Sequence, residues 1–281
     1  MTLVQKIKHY GWIFIEYFSL IFFSIFALLP VVSCVITAFK TKEEYENTNV
    51  MTLPESWLNF DNFIQVWNDA NMGRAFLNSA IVLVCVVFGS VMVGSMLAYV
   101  LNRFKFPGNG LIRNLFLFAT LLPGIAMQVA TYQLMYSLGF IYHLYGYIIL
   151  SMGTDVISIY IFIQFFENIS VSLDESAYMD GASYFTIFFK ILFPLLKPAI
   201  VTVMILKGVG TYNEYYNASL YLSGKNQLTV SMALYTFVGP LGSQFNLICA
   251  GAIMSLIPAF IVFLVFQKQI YSGLTAGAVK G

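Results

Sequence analysis

The sequence predicts an all-α integral membrane protein with six transmembrane helices and both termini in the cytoplasm. Three observations lead there. Apolar residues make up 59% of the 281-residue chain and charged residues only 10%, with mean hydropathy +0.79. A soluble domain of this size needs far more charge to cover its surface, so lipid is the solvent for most of the chain. Apolar stretches of about 20 residues or more, the length a helix needs to cross a bilayer, recur along the sequence. Finally, Lys and Arg collect in the segments that alternate to one side.

The spans are read at about 11–39, 75–101, 111–136, 145–166, 198–222 and 247–267. The first follows Lys6 and Lys8 but is far longer than a secretory signal core, and no small-residue cleavage site follows it, so it reads as a retained span. With the termini inside, cytoplasmic segments carry Lys6, Lys8, Arg103, Lys105, Arg113, Lys190, Lys197, Lys268 and Lys280. External segments carry only Lys40, Lys42, Arg74 and Lys225. The segment 41–74 then lies outside. After Pro54 it carries Trp57, Phe60, Phe63, Ile64 and Trp67, which suits a short helix lying on the membrane surface. With no internal repeat or low-complexity tract, residues 1–281 read as one membrane domain.

Several functions are excluded. No basic cluster is long enough to follow a phosphate backbone, so nucleic acid is not a partner. Cys34, Cys85 and Cys249 sit in apolar runs without metal-ligand spacing, and His9 and His143 fit no metal site or triad. There is no phosphate-binding GxxxxGK[ST] loop, so the chain is not expected to bind or hydrolyse ATP. No catalytic acid, base and nucleophile set is present, which argues against an intramembrane enzyme. A self-contained secondary transporter, often built on inverted repeats, lacks that repeat here.

One polar island stands out between the fourth and fifth spans, within a loop at 167–197. It reads Asp174-Glu175-Ser176-Ala177-Tyr178-Met179-Asp180-Gly181 and continues to Ile191-Leu192-Phe193-Pro194. Ser172 and Glu175 have capping-box spacing, predicting a helix from Ser172 to about Asp180. Gly181 is placed to end it, since glycine takes a left-handed turn without steric cost. A second helix is expected over about 183–192, stopped before Pro194.

This island resembles the EAA loop of ABC importer permeases: Glu-Ala-Ala, three residues, Gly, nine residues, Ile, one residue, Leu-Pro. Glu175, Ala177, Gly181, Ile191 and Pro194 fall on it without a gap, while Ser176 and Phe193 depart from it. The tail at 268–281 ends Gly273-Leu274-Thr275-Ala276-Gly277-Ala278-Val279-Lys280-Gly281, similar to that of the maltose-permease G-type subunit and its carbohydrate-uptake relatives. The resemblance implies a permease subunit of a sugar importer in a bacterial cell membrane. It implies as partners an F-type permease, an ATPase subunit dimer that holds ATP and Mg, and an extracytoplasmic sugar-binding protein. Glu175, Ser176, Ala177, Asp180, Gly181, Ile191 and Pro194 form the expected ATPase-coupling loop. Ala177 and Gly181, four apart, are read as sharing a face that leaves room for close approach. Thr275, Gly277, Lys280 and Gly281 are expected at the ATPase interface. The solute could also be a polyol or glycerol phosphate.

Polar residues inside spans need a partner or a cavity. Lys207 and Glu214 are two helical turns apart in the fifth span, on one face but too far apart to pair. Each is expected to meet another span or water. Lys207, Asn213, Glu214 and Asn217 either line a translocation path or form an interhelical network. Asp155 in the fourth span is left without a role, and no metal site or cofactor is expected in this chain.

Overall fold

The computed structural model describes residues 3–153, 155–239 and 242–278. It is helical apart from one two-stranded ribbon. Three helices are long and apolar enough to cross a membrane alone, and three further bent helix pairs qualify if each pair is one span. The chain groups into two compact units, Met1–Ala70 with Leu234–Pro258, and Asn71–Ala233 with Ala259–Gly281.

The first unit contains α1 (Leu3–Ala38), α2 (Lys42–Asn47), α3 (Asp61–Asp69), the ribbon of β1 (Val238–Gly239) and β2 (Gly242–Ser243), and the start of α15 (Phe245–Ala278). From Gly11 on, nearly all of the apolar length of α1 is exposed, as a lipid-facing helix requires. Beyond it the chain is fastened by polar contacts. The buried Lys40 ammonium donates to Thr48 Oγ1 at 2.9 Å and to the Asn49 carbonyl at 2.6 Å. Thr41 and Glu44 form a reciprocal capping box at the start of α2. Asn62 donates to the carbonyls of Ala38 and Lys40 and accepts from Asn246.

The segment 57–67 also has protein contacts on one side. Asn62 and Val66 of α3 are buried in protein, and Phe39 stacks among Trp57, Phe60 and Phe63. A Cβ at Gly251 would lie 2.5 Å from the end of the Leu234 side chain, which would have to shift to admit it. Trp57, Phe60, Ile64 and Trp67 nevertheless stay exposed, the apolar face that a helix lying on the membrane surface would present.

The second unit is organised on α4 (Met72–Arg103). A strip of small residues, Gly89, Ser90, Gly94, Ser95 and Ala98, is buried. It lets α7 (Leu144–Gly153) and α8 (Val156–Glu167) approach closely. A Cβ on Gly89 would lie 2.2 Å from Met152, and one on Gly94 would lie 3.3 Å from Phe162. The loop before α14 (Val230–Tyr235) is pinned to the same helix. Asn78 donates to the carbonyls of Asn226 and Leu228, and Ser79 accepts from the Val230 amide.

The third predicted span is broken. α5 (Asn109–Leu121) and α6 (Gly124–Ser137) meet at 107° across Leu122 and Pro123. Proline has no N–H to continue the ladder and holds its predecessor extended. The fifth predicted span, 198–222, is also not one helix. α12 (Lys197–Asn213) stops at an extended Glu214, and α13 (Tyr216–Tyr221) starts afresh. Glu214 favours this break because its carboxylate accepts the Asn217 amide at 3.0 Å, an N-cap-like bond a continuous helix would not leave free.

Candidate functional site

The polar island forms α9 (Ser172–Met179), a left-handed glycine elbow and a second helical segment. Gly181 sits at φ +82°, where a Cβ is strained although the space around it is open. The Ala182 amide donates across the elbow to the Ala177 carbonyl at 3.0 Å. The glycine turn expected from the sequence is therefore present.

Two local expectations are corrected. The capping box at Ser172 does not form: Val171 is the N-cap and already helical, and no side chain caps the helix. The first turn begins earlier, with Leu173 bonded to the Ser170 carbonyl, and the Ser170 hydroxyl takes the Ser172 amide at 3.3 Å. The second helix does not stop before Pro194. It starts as α10 (Tyr184–Thr186), capped by Ser183, passes through a π-helical turn (Ile187–Leu192), and continues as α11 (Phe193–Leu195). The wide turn, closed by the Phe193 amide on the Phe188 carbonyl, precedes the proline, which has no N–H of its own to offer. The real change of direction comes at Leu196, where α12 departs at 75°.

Glu175, Ser176, Asp180, Gly181 and Pro194 are exposed, and Ile191 is half-buried. Ala177 is the exception: it is buried in the apolar cluster with Tyr99, Phe166 and Phe188. Ala177 and Gly181 thus do not share an open face. Ala177 seats α9, and the outward face belongs to Glu175, Tyr178 and Met179.

A residue with no assigned role in the sequence reading fixes α9 in place. Arg103, the last residue of α4, has a side chain only 7% exposed. Its Nε donates to Asp174 Oδ2 at 2.7 Å, and its terminal nitrogens donate to the carbonyls of Ile169 at 2.8 Å and Phe166 at 3.4 Å. Its guanidinium also lies over the Phe166 ring, 5.8 Å from the centroid. Burial pushes the Asp174 carboxyl above its ordinary value, against the downward pull of the Arg103 charge. The signal available in the sequence was an Arg at a helix end and an acid in the island. Nothing in their spacing joined them.

Within the apolar segments, Lys207 meets Asp155 at 3.7 Å. Asp155 caps α8, accepting from the Ser158 amide and hydroxyl. Glu214 accepts from the Asn217 side chain at 3.1 Å, and Asn217 accepts in turn from Gln128 of α6 at 3.1 Å. The expectation that each meets another span holds for Lys207, whereas Glu214 pairs with Asn217 of its own predicted span and reaches α6 only through it. Asn213 stands apart, exposed and bonded back to Val209. Lys280 and Gly281 lie outside the described residues, as does the side chain of Thr275, and Gly277 has none.

Fold and loop together define an all-helical membrane component, lipid-facing over long helices, with a polar two-helix loop between its bent segments. The chain belongs to the family of binding-protein-dependent transport system inner membrane components, whose pattern matches residues 90–275. It is 34% identical over 257 residues to a probable ABC transporter permease, YurM of Bacillus subtilis, covering 90% of this chain and 83% of that one. It is 28% identical to the arabinooligosaccharides permease AraQ of Halalkalibacterium halodurans, over 92% of this chain and 94% of that one. It is 29% identical to the melibiose/raffinose/stachyose import permease MelC of Bacillus subtilis, over 90% and 91%. A chain from the crystal structure of a bacterial alginate importer superposes with TM-score 0.79 at 23% identity, over 95% of this chain and 98% of that one. At that identity the likeness speaks for the fold.

Proposed function

We propose that this chain is the permease subunit of an ABC importer that carries an oligosaccharide across a bacterial cell membrane. In this reading all six apolar stretches cross the bilayer, the third to fifth as bent spans within one permease domain. Both termini and the 167–197 loop face the cytoplasm, the orientation that the Lys and Arg asymmetry favours. The observation that carries the reading is the exposed Gly181 elbow beside Glu175, Ser176 and Asp180, inside the segment that matches the family. The names of the relatives, several of them oligosaccharide permeases, support the solute class.

The loop docks on an ATPase subunit pair, which binds ATP and Mg and does the hydrolysis; this chain is not an enzyme. Ile191 and Pro194 shape the second half of the loop. The tail residues Thr275, Gly277, Lys280 and Gly281 reach the same ATPases. An F-type permease completes the pathway, and an extracytoplasmic sugar-binding protein delivers solute. Lys207, Glu214 and Asn217 contribute polar groups beside the path, with Asn213 at its edge.

The test is ATP-dependent uptake of labelled raffinose and arabinotriose into proteoliposomes holding the assembled transporter. Gly181→Asp puts a side chain and a negative charge on the exposed elbow that docks, and uptake should fall about tenfold or more, the loss that about 1.4 kcal/mol of weakened docking gives. The amount of subunit in the membrane should not change. Normal uptake by Gly181→Asp would overturn the coupling reading. A chain truncated after Leu274 should lose ATPase control more than assembly, and normal solute-stimulated ATPase activity would make the tail passive.

A further inference from the structure

We propose that Arg103 is the positioning residue through which displacement of α9 reaches the long helix α4. The proposal rests on the coupling-loop reading above. It starts from how little of α9 touches the rest of the second unit. Of its eight residues only Ala177 is buried and only Asp174 makes an ion pair, while Leu173, Tyr178 and Met179 are exposed. An apolar contact such as that of Ala177 can slide. A buried charge-assisted hydrogen bond at 2.7 Å holds direction as well as distance.

The geometry of Arg103 is that of a joint. One guanidinium ties three places together: the end of α4 that bears it, the carbonyls of Phe166 and Ile169 at the end of α8, and the first turn of α9 through Asp174. An arginine that merely answered the partial negative charge of its own helix end would need none of these. A lysine has no planar fork with which to serve a carboxylate and two carbonyls at once. The helix that receives the motion is the one against which α7, α8 and α12 pack. A shift at Arg103 is therefore delivered to the element that organises the unit, along a contiguous network of bonds and a rigid helix.

The experiment reads the two ends of this link separately. Cys85 is exposed and lies on α4, and Met179 is 84% exposed on α9. With Cys34 and Cys249 replaced by Ala, a spin label is placed at Cys85 or, with Cys85 also replaced by Ala, at Met179→Cys in the assembled transporter. Spectra are compared without nucleotide and after trapping with ATP, Mg and vanadate. With Arg103 in place both labels are expected to shift. In Arg103→Ala and in Asp174→Asn the α9 label should still shift, while the Cys85 shift falls by about threefold or more, the scale on which such networks modulate coupling. Arg103→Lys should fall between. A full Cys85 shift in both Arg103→Ala and Asp174→Asn overturns the proposal. An α9 label that never shifts with Arg103 present overturns the coupling-loop reading itself, and the proposal with it. If Arg103→Ala does not assemble, Asp174→Asn decides alone, because it keeps the shape of the carboxyl and removes its charge.

Discussion

The second unit holds two buried ion pairs built to different standards. Arg103 and Asp174 sit 2.7 Å apart with side chains 7% and 14% exposed, and the guanidinium has two further carbonyl acceptors. Lys207 and Asp155 are 3.7 Å apart and 20% and 15% exposed, and the lysine meets its acid as a single point charge. Removing two charges from water is costly in both cases, and only tight geometry with extra hydrogen bonds repays it. The first pair fixes a helix in one position. The second neutralises charge between interrupted helices without fixing their direction.

That contrast can be broken in order of expected effect. Arg103→Ala leaves the Asp174 charge buried and should cost about 3 kcal/mol or more, read as thermal stability of the purified complex. Lys207→Met should cost less, about 1–2 kcal/mol, because Asp155 keeps its bonds to Ser158 and the pair is looser. A double-mutant cycle on each pair sharpens the comparison, with the larger interaction energy expected for Arg103 and Asp174. Equal coupling energies would dissolve the distinction.

The smallest effect lies in the first unit, where a carboxylate is exposed. Backbone amides of Glu55 and Thr41 hold the Glu44 carboxyl below its ordinary value of 4.5. A depressed acid stabilises the fold above its unfolded value and loses that contribution as pH falls through the folded one. The protection of α2 amides, measured as exchange relative to the intrinsic rate at each pH, should therefore fall as the pH drops below 4.5, and Glu44→Gln should flatten that fall.

Much of the loop was legible in the sequence because its signals are local. Gly181 at the elbow and the polar run before it need no distant partner to be understood. The capping box failed at Ser172 and succeeded at Thr41 for one physical reason. Spacing shows that two side chains can reach each other, but not where the first turn begins. Thr41 is itself extended and is the cap. At Ser172 the chain is already turning from Ser170, so the serine lies one residue past the cap position. The break at Glu214 was missed because Asn213, Glu214 and Asn217 were read as polar side chains on one continuous helix, and spacing alone does not show that the carboxylate caps the next one.

Composition and the order of apolar runs determined that this chain is a helical membrane protein, since burial in lipid is decided residue by residue and summed along a span. The glycine turn was likewise fixed by one residue's conformational freedom. Tertiary structure alone decided which of the polar residues meet. Arg103 and Asp174 are 71 positions apart, and Lys207 and Asp155 are 52 apart. Such pairings depend on how helices cross and where they bend, and no local spacing encodes that.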